Sequence, residues 1–141
     1  MPKKDRETFV CLGCEITHPL PKGRSGKYCS HTCQRVHVRD VFITQWKAGL
    51  ISGVTSEGTS AHIHTYLFKK QNGACSKCQN TLWCAKPIPL EFEHKDGNCF
   101  NNAEDNVSLL CCNCHSQTPT YKGRNKGNGR LSRAKVVMES K

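Results

Sequence analysis

Eight of the eleven cysteines in this 141-residue chain stand in four close pairs: Cys11-x2-Cys14, Cys29-x3-Cys33, Cys75-x2-Cys78 and Cys111-x2-Cys114. A Cys-x2-Cys knuckle presents two thiolates from one turn of chain, and two such pairs can close one tetrahedral zinc site. Closing the second set joins Cys78 to Cys111, 33 residues on, so the segment between them becomes a loop clamped at both ends. The first set leaves fourteen residues between Cys14 and Cys29 and reads as a treble-clef or ribbon-like finger. A disulfide framework is the competing use of so many cysteines, but the count is odd and no charged start followed by an apolar run marks a secretion signal. Two structural zinc ions in a reducing cytoplasm are therefore expected.

Composition makes the same demand. Hydrophobic residues are 36% of the chain and aromatic ones 7%, thin for a single large core, so metal must supply part of the fold. No apolar run is long enough for a membrane span.

The net charge of +10 is laid down unevenly. Residues 1–40 hold eight Lys and Arg against four acids, and residues 122–141 hold seven against Glu139 alone. Residues 71–121, by contrast, hold three basic and five acidic groups. Basic flanks around an acidic, metal-binding centre suit a polyanionic ligand, with phosphate contacts outside and a cation inside. Lys122, Arg124, Lys126, Arg130 and Arg133 are the candidate phosphate contacts; a solvated, unstructured tail is the other use of such a run.

Between the two cysteine sets the pattern turns helical. Tyr28 to Cys33 reads as a strand end running into a helix with Ser30 as N-cap, and Val38, Val41, Phe42 and Trp46 then share a face up to a stop at Gly49. Phe42 and Trp46 are expected in the core. A polar break from Ser52 to Ser60 precedes a shorter helix with Ile63, Tyr66 and Leu67 on one face, ending before Gly73. His62 and His64, two apart, cannot share a helical face and read as surface or packing groups. The chain thus divides into an N-terminal four-cysteine finger (1–35), a helical connector (36–72), a second metal-binding domain (73–121) and a basic tail (122–141).

Inside the clamped loop lie Glu93-His94-Lys95-Asp96-Gly97-Asn98 and Asn106, and His115 follows Cys114 directly. Thiolates select zinc, whereas a carboxylate and an imidazole with open positions suit a harder catalytic cation such as Mg²⁺ or Mn²⁺. The clamped loop therefore has a second job.

From Cys75 onward the sequence resembles the HNH endonuclease superfamily, whose three letters map onto His94, Asn106 and His115 at spacings of twelve and nine. The runs Pro89-Leu90-Glu91-Phe92-Glu93-His94 and Leu109-Leu110-Cys111-Cys112-Asn113-Cys114-His115-Ser116-Gln117-Thr118 are similar to the zinc-stapled HNH enzymes of bacteriophages, many of them homing endonucleases. The N-terminal finger and Trp46-Lys47-Ala48-Gly49 extend the likeness over nearly the whole chain. The resemblance implies a small α+β, zinc-stabilised protein whose residues 73–121 form a ββα-metal (HNH, treble-clef-like) nuclease domain. Pro89 to His94 and Val107 to Leu110 would be its strands, and Asn113 to Gln117 the start of a helix limited by Pro119. Two positions depart from the family: Glu93 stands where Asp is common, and Cys112 where Pro is common.

The chemistry fits these residues. Hydrolysing a phosphodiester needs a base for water, a cation for the charge on phosphorus and the leaving oxygen, and rigid positioning of both. His94 is the base candidate, next to Glu93 as a metal ligand, with Glu91 on the same strand face as an alternative ligand. Strand alternation would send Glu93 and His94 to opposite faces, so the strand must twist or end there, and Asp96-Gly97 supplies a turn. His115 is the second metal ligand, unless it serves the zinc site. Asn106 is the structural member, its amide bonding backbone across the loop so that His94 stays oriented. Cys84, Cys99 and Cys112 receive no role.

A metal-dependent DNA endonuclease acting on double-stranded DNA in the host cytoplasm is the leading expectation. A non-catalytic double zinc-finger DNA-binding protein is the alternative, and nothing in it requires His94, Asn106 and His115 together. A zinc deaminase would need a Pro-Cys-x-x-Cys run, but Leu110 precedes Cys111. Target sequence, strand outcome and monomer against dimer on DNA stay open at this level.

Overall fold

A computed structural model describes residues 7–22, 26–55 and 58–125, and the chain divides into two compact units, residues 1–44 and 45–141. No helix among the described residues is long and apolar enough to cross a membrane.

The first unit is built around its cysteines. Strands β1 (Thr8–Val10) and β2 (Thr17–Pro19) pair antiparallel, and the turn between them is the Cys11–Cys14 knuckle. Glu15 takes φ 58° to close that knuckle, with its N–H on the Cys11 carbonyl at 2.8 Å. A side chain at Gly13 would meet the Cys33 carbonyl oxygen at 2.5 Å, so the knuckle can sit against the second cysteine pair only because this residue is glycine. Helix α1 (His31–Lys47) follows, and Ser30 caps it as expected: its Oγ accepts from the Cys33 N–H at 3.1 Å. Tyr28 and Cys29 do not form the expected strand end. The Cys29 N–H is turned onto the Cys11 Sγ at 3.3 Å instead of onto a strand partner.

The expected apolar face of α1 is only partly real. Val38 and Val41 are exposed and Phe42 is half-buried, whereas Trp46 is buried. Among the described residues, α1 is engaged at its first turn by the Ser30 cap and the cysteine cluster and at His37 by Tyr28, while Val38 and Val41 stay open.

In the second unit α1 ends on a paired C-cap. Gly49, at φ +71°, donates to Trp46, and Leu50 donates to Gln45, satisfying the last carbonyls. A short hairpin follows, β3 (Val54–Thr55) with β4 (Gly58–Thr59), then α2 (Ala61–Lys70), capped by the Ser60 side chain on the His62 N–H. Ile63 and Leu67 are buried as the pattern requires, His64 is exposed and His62 half-buried. A two-residue turn at Cys84 and Ala85, both with positive φ, joins β5 (Leu82–Trp83) to β6 (Lys86–Pro87).

The central feature is the hairpin of β7 (Leu90–His94) and β8 (Val107–Cys111), in register from Leu90 opposite Cys111 to His94 opposite Val107, followed by α3 (Cys112–Ser116). All five residues of β8 are buried. Cys75, Ile88, Leu110 and Cys111 form one core with Leu90 and Cys114 at its margin, so the cysteine cluster and the apolar core are continuous. The outer edge of β8 is closed by a side chain: Gln71, just past α2, donates to the Leu109 carbonyl and accepts from the Leu109 N–H, both at 2.9 Å. That bond pair holds α2 against β8 and leaves no buried strand edge open at Leu109.

The division at residues 44 and 45 falls inside the segment 36–72 read as a connector. Its second part belongs with the hairpin because Trp46 donates to the Asn102 carbonyl at 2.7 Å and Tyr66 to Glu104 at 2.5 Å.

Candidate active site

Two cysteine clusters take the arrangement that the pairs predict. The Sγ atoms of Cys11, Cys14, Cys29 and Cys33, and those of Cys75, Cys78, Cys111 and Cys114, lie within 4.8 Å of one another in each set. A tetrahedron of ~2.3 Å zinc–sulfur bonds has edges of about 3.8 Å, and the Cys14–Cys29 and Cys78–Cys111 separations are both 3.8 Å. Each set could hold zinc, and all eleven cysteines are free of disulfides. Burial works against ionising Cys11 and Cys75, but backbone N–H groups around each sulfur outweigh it and bring both to about 6. Cys29 is pushed up to about 12, first by the neighbouring Cys33 thiol, and Cys114 equally, first by burial and then by Cys111.

The zinc-type cluster of the second unit positions His115. Cys111 ends β8 and caps α3, accepting from the Cys114 N–H at 3.5 Å, which fixes the first turn of α3 and with it His115. The imidazole is engaged at both nitrogens by strand β7. Its Nδ1 lies 2.5 Å from Glu91 Oε2 and its Nε2 2.8 Å from Glu93 Oε2. Glu91 and Glu93 are two apart on one strand and share a face, so the alternative of Glu91 or Glu93 becomes both, on different nitrogens. A neutral imidazole has one N–H and cannot donate to two carboxylates. A cation between Nε2 and Glu93 would resolve that conflict.

The donor set fits a cation. Adjacent ligands at ~2.1 Å from an octahedral ion are about 3 Å apart, close to the 2.8 Å between Nε2 and Glu93. A metal-bound histidine typically gives its other N–H to a carboxylate, which is where Glu91 stands. The His115 contact holds the Glu91 carboxyl below its ordinary range despite partial burial. Glu93 is 6% exposed, and its other oxygen accepts from the Thr120 hydroxyl at 2.6 Å. The Cys112 thiol donates to Glu91 Oε1 at 3.6 Å.

His94 makes a different set of contacts. Strand β7 ends at this residue, and the chain turns through Gly97, whose N–H reaches the His94 carbonyl at φ +74°. The ring tilts against Phe92, and Nε2 lies 2.8 Å from Asn102 Oδ1. No hydrogen bond joins His94 to Glu93 or His115 among the described residues. Asn106 spans the loop: its amide donates to Asp96 Oδ1 and to the Asn101 carbonyl, and accepts from the Asp96 N–H at 3.1 Å. It thus bonds backbone across the loop as expected, but the side chain on His94 is Asn102. Asp96 is held below its ordinary carboxyl range, first by Asn101, then by Asn106 and the Asn98 N–H, with partial burial opposing.

Residues after α3 close over this loop. Tyr121 meets the His115 ring edge-on with centroids 5.0 Å apart, and carries Lys122 and Arg124 over its own face at 5.0 and 5.7 Å. Arg124 also donates to the Ser116 carbonyl. Asn125 donates to the Gly97 carbonyl at 2.8 Å, and a side chain at Gly97 would strike Asn125 and Thr120. Lys122 to Asn125 therefore belong to the site, although their sequence reads as part of the tail. Lys126, Arg130 and Arg133 lie outside the described residues. Sequence reasoning missed Asn102, Thr120 and Tyr121; the one signal available was the polar run itself, since a buried Asn must be bonded.

No protein-family model matches the chain, and no solved structure matches it. Among curated proteins, the H-N-H endonuclease F-TflIV of Escherichia phage T5 is 58% identical over 53 residues, which is 38% of this chain. The match spans 23% of that relative's length, so the likeness is to a segment of it. Over those 53 residues the chain is similar to a phage H-N-H endonuclease, which bears out the HNH resemblance for that segment.

Proposed function

We propose that the second unit is a ββα-metal nuclease that hydrolyses phosphodiester bonds in double-stranded DNA. The observation that carries it is the His115 imidazole held between two carboxylates of β7, at 2.5 and 2.8 Å, on a helix anchored by a four-cysteine cluster. Two structural zinc ions in the cysteine clusters and one Mg²⁺ or Mn²⁺ held by Glu93 and His115 complete the reading. The cation, when bound, neutralises charge on the phosphate and the leaving oxygen.

The protein's own groups do the remainder. His94 takes a proton from the attacking water. Asn106 and Asp96 fix the loop from which His94 projects. Glu91 holds the His115 ring in one orientation by accepting from Nδ1. Lys122 and Arg124, gathered on Tyr121, supply phosphate contacts beside the site, with Lys126, Arg130 and Arg133 continuing them. Zinc in both clusters means a reducing compartment, the host cytoplasm for a phage-type homing endonuclease.

One unit carries one base and one cation site, so a single chain attacks one phosphodiester at a time. Purified protein with Mg²⁺ should convert supercoiled plasmid to nicked circle before linear DNA, and EDTA should stop it. Linear product with no nicked intermediate at low protein concentration would point to a preassembled dimer. Binding without any cleavage would leave the double zinc-finger binding protein as the better reading.

A further inference from the structure

The hydrogen bonds around Asn102 define which nitrogen of His94 is free. Asn102 is 3% exposed, and both the nitrogen and the oxygen of its side-chain amide are bonded within the second unit. Its Nδ2 donates to the Ser52 carbonyl at 3.2 Å, its Oδ1 accepts from the Thr59 hydroxyl at 3.0 Å, and its own carbonyl accepts from the Trp46 indole. Flipping the amide would set Oδ1 against the Ser52 carbonyl, two acceptors face to face, so the amide orientation is determined. Oδ1 is therefore the atom 2.8 Å from His94 Nε2, and it can only accept.

We infer that Asn102 is a positioning residue for His94: it holds the neutral imidazole as the Nε2–H tautomer and leaves the Nδ1 lone pair as the proton acceptor. This rests on His94 being the general base. A third group that fixes the tautomer of a catalytic imidazole makes a large contribution to rate in other hydrolases. Here that group is itself set by residues 46 to 59, which are 43 to 56 positions away in sequence. Ser52 and Thr59 thereby act on the base through one buried side-chain amide, and Trp46 holds the backbone of the same residue.

The test is long-range ¹H–¹⁵N correlation on the zinc-loaded, histidine-labelled full chain, at a pH where the imidazole is neutral, with plasmid nicking measured in parallel. Wild type should show His94 with a protonated Nε2 and a bare Nδ1. Asn102→Ala should show mixed tautomers and lose on the order of 10²-fold or more in kcat, with KM for plasmid little changed. Asn102→Asp keeps an acceptor toward His94 and Thr59; it should retain the Nε2–H tautomer and recover part of the rate. Its second oxygen faces the Ser52 carbonyl, so if neither variant folds the wild-type tautomer alone decides. A protonated Nδ1 in wild type, or an alanine variant with wild-type tautomer and kcat, overturns the inference. A wild type with the expected tautomer but no nicking activity overturns the nuclease reading instead, so the two failures are separable.

Discussion

His115 concentrates the residue-scale chemistry. In the proposed metal site, Glu91 on Nδ1 would leave the Glu93-facing Nε2 as the lone-pair side, so that Glu91 would set the orientation and Glu93 would share the cation. Glu91→Gln keeps the shape and removes the charge. Its affinity for Mn²⁺, measured by spin-resonance titration, should fall about 10- to 100-fold while zinc content stays the same; unchanged affinity would remove Glu91 from the metal site. Much of this site is legible in the sequence. Glu93, His94, Asn106 and His115 stand out because they are titratable or amide groups packed between cysteine knuckles. Asn102 does not, because its meaning lies in partners from a segment that sequence patterning treats as a connector. Neither does Thr120, whose bond to Glu93 depends on the chain folding back after Pro119.

At the scale of elements, α2 is held to β8 by Gln71 and to the loop before β8 by Glu104. Gln71 bonds both backbone groups of the fully buried Leu109, sharing the carbonyl with the Ser76 N–H, and no period in the sequence encodes a side chain acting as a strand partner. Gln71→Leu should destabilise the second unit by about 1–3 kcal/mol, read from denaturant unfolding; a neutral effect would mean water replaces those bonds. Glu104 accepts from Lys70 at 2.6 Å and from Tyr66, and these hold its carboxyl below the ordinary range. Its folded value thus lies below the unfolded one, near 4.3, so its contribution is complete above that pH and is lost as pH falls through the folded value. Glu104→Gln should flatten the acid-side decline in Tm from about pH 5 downward; an identical decline in both proteins would assign that stability elsewhere. The hairpin and α3 are readable to within a residue because alternation, turn and cysteine spacing agree. The apolar face of α1 is not, since a period shows which residues align but not whether anything covers them.

Across the whole molecule, two thiolate clusters support two units and one site depends on the second. Zinc analysis should give two ions per chain. Cys75→Ser should unfold the hairpin unit, because structural zinc binding is coupled to roughly 10 kcal/mol or more of folding energy, whereas Cys11→Ser should damage mainly residues 1–44. One zinc per chain in the wild type would contradict this division. Removing residues 126–141 keeps the Asn125–Gly97 bond while deleting Lys126, Arg130, Arg133, Lys135 and Lys141. The slope of log K against log salt on duplex DNA should then drop by about 0.9 for each phosphate that the tail no longer neutralises, and an unchanged slope would show that the tail is only solvated. The most direct test of the proposed base is Mg²⁺-dependent nicking by His94→Ala, prepared with two zinc ions per chain and wild-type DNA affinity. It should be roughly 10²- to 10⁴-fold slower than wild type; nicking at the wild-type rate would contradict the assignment.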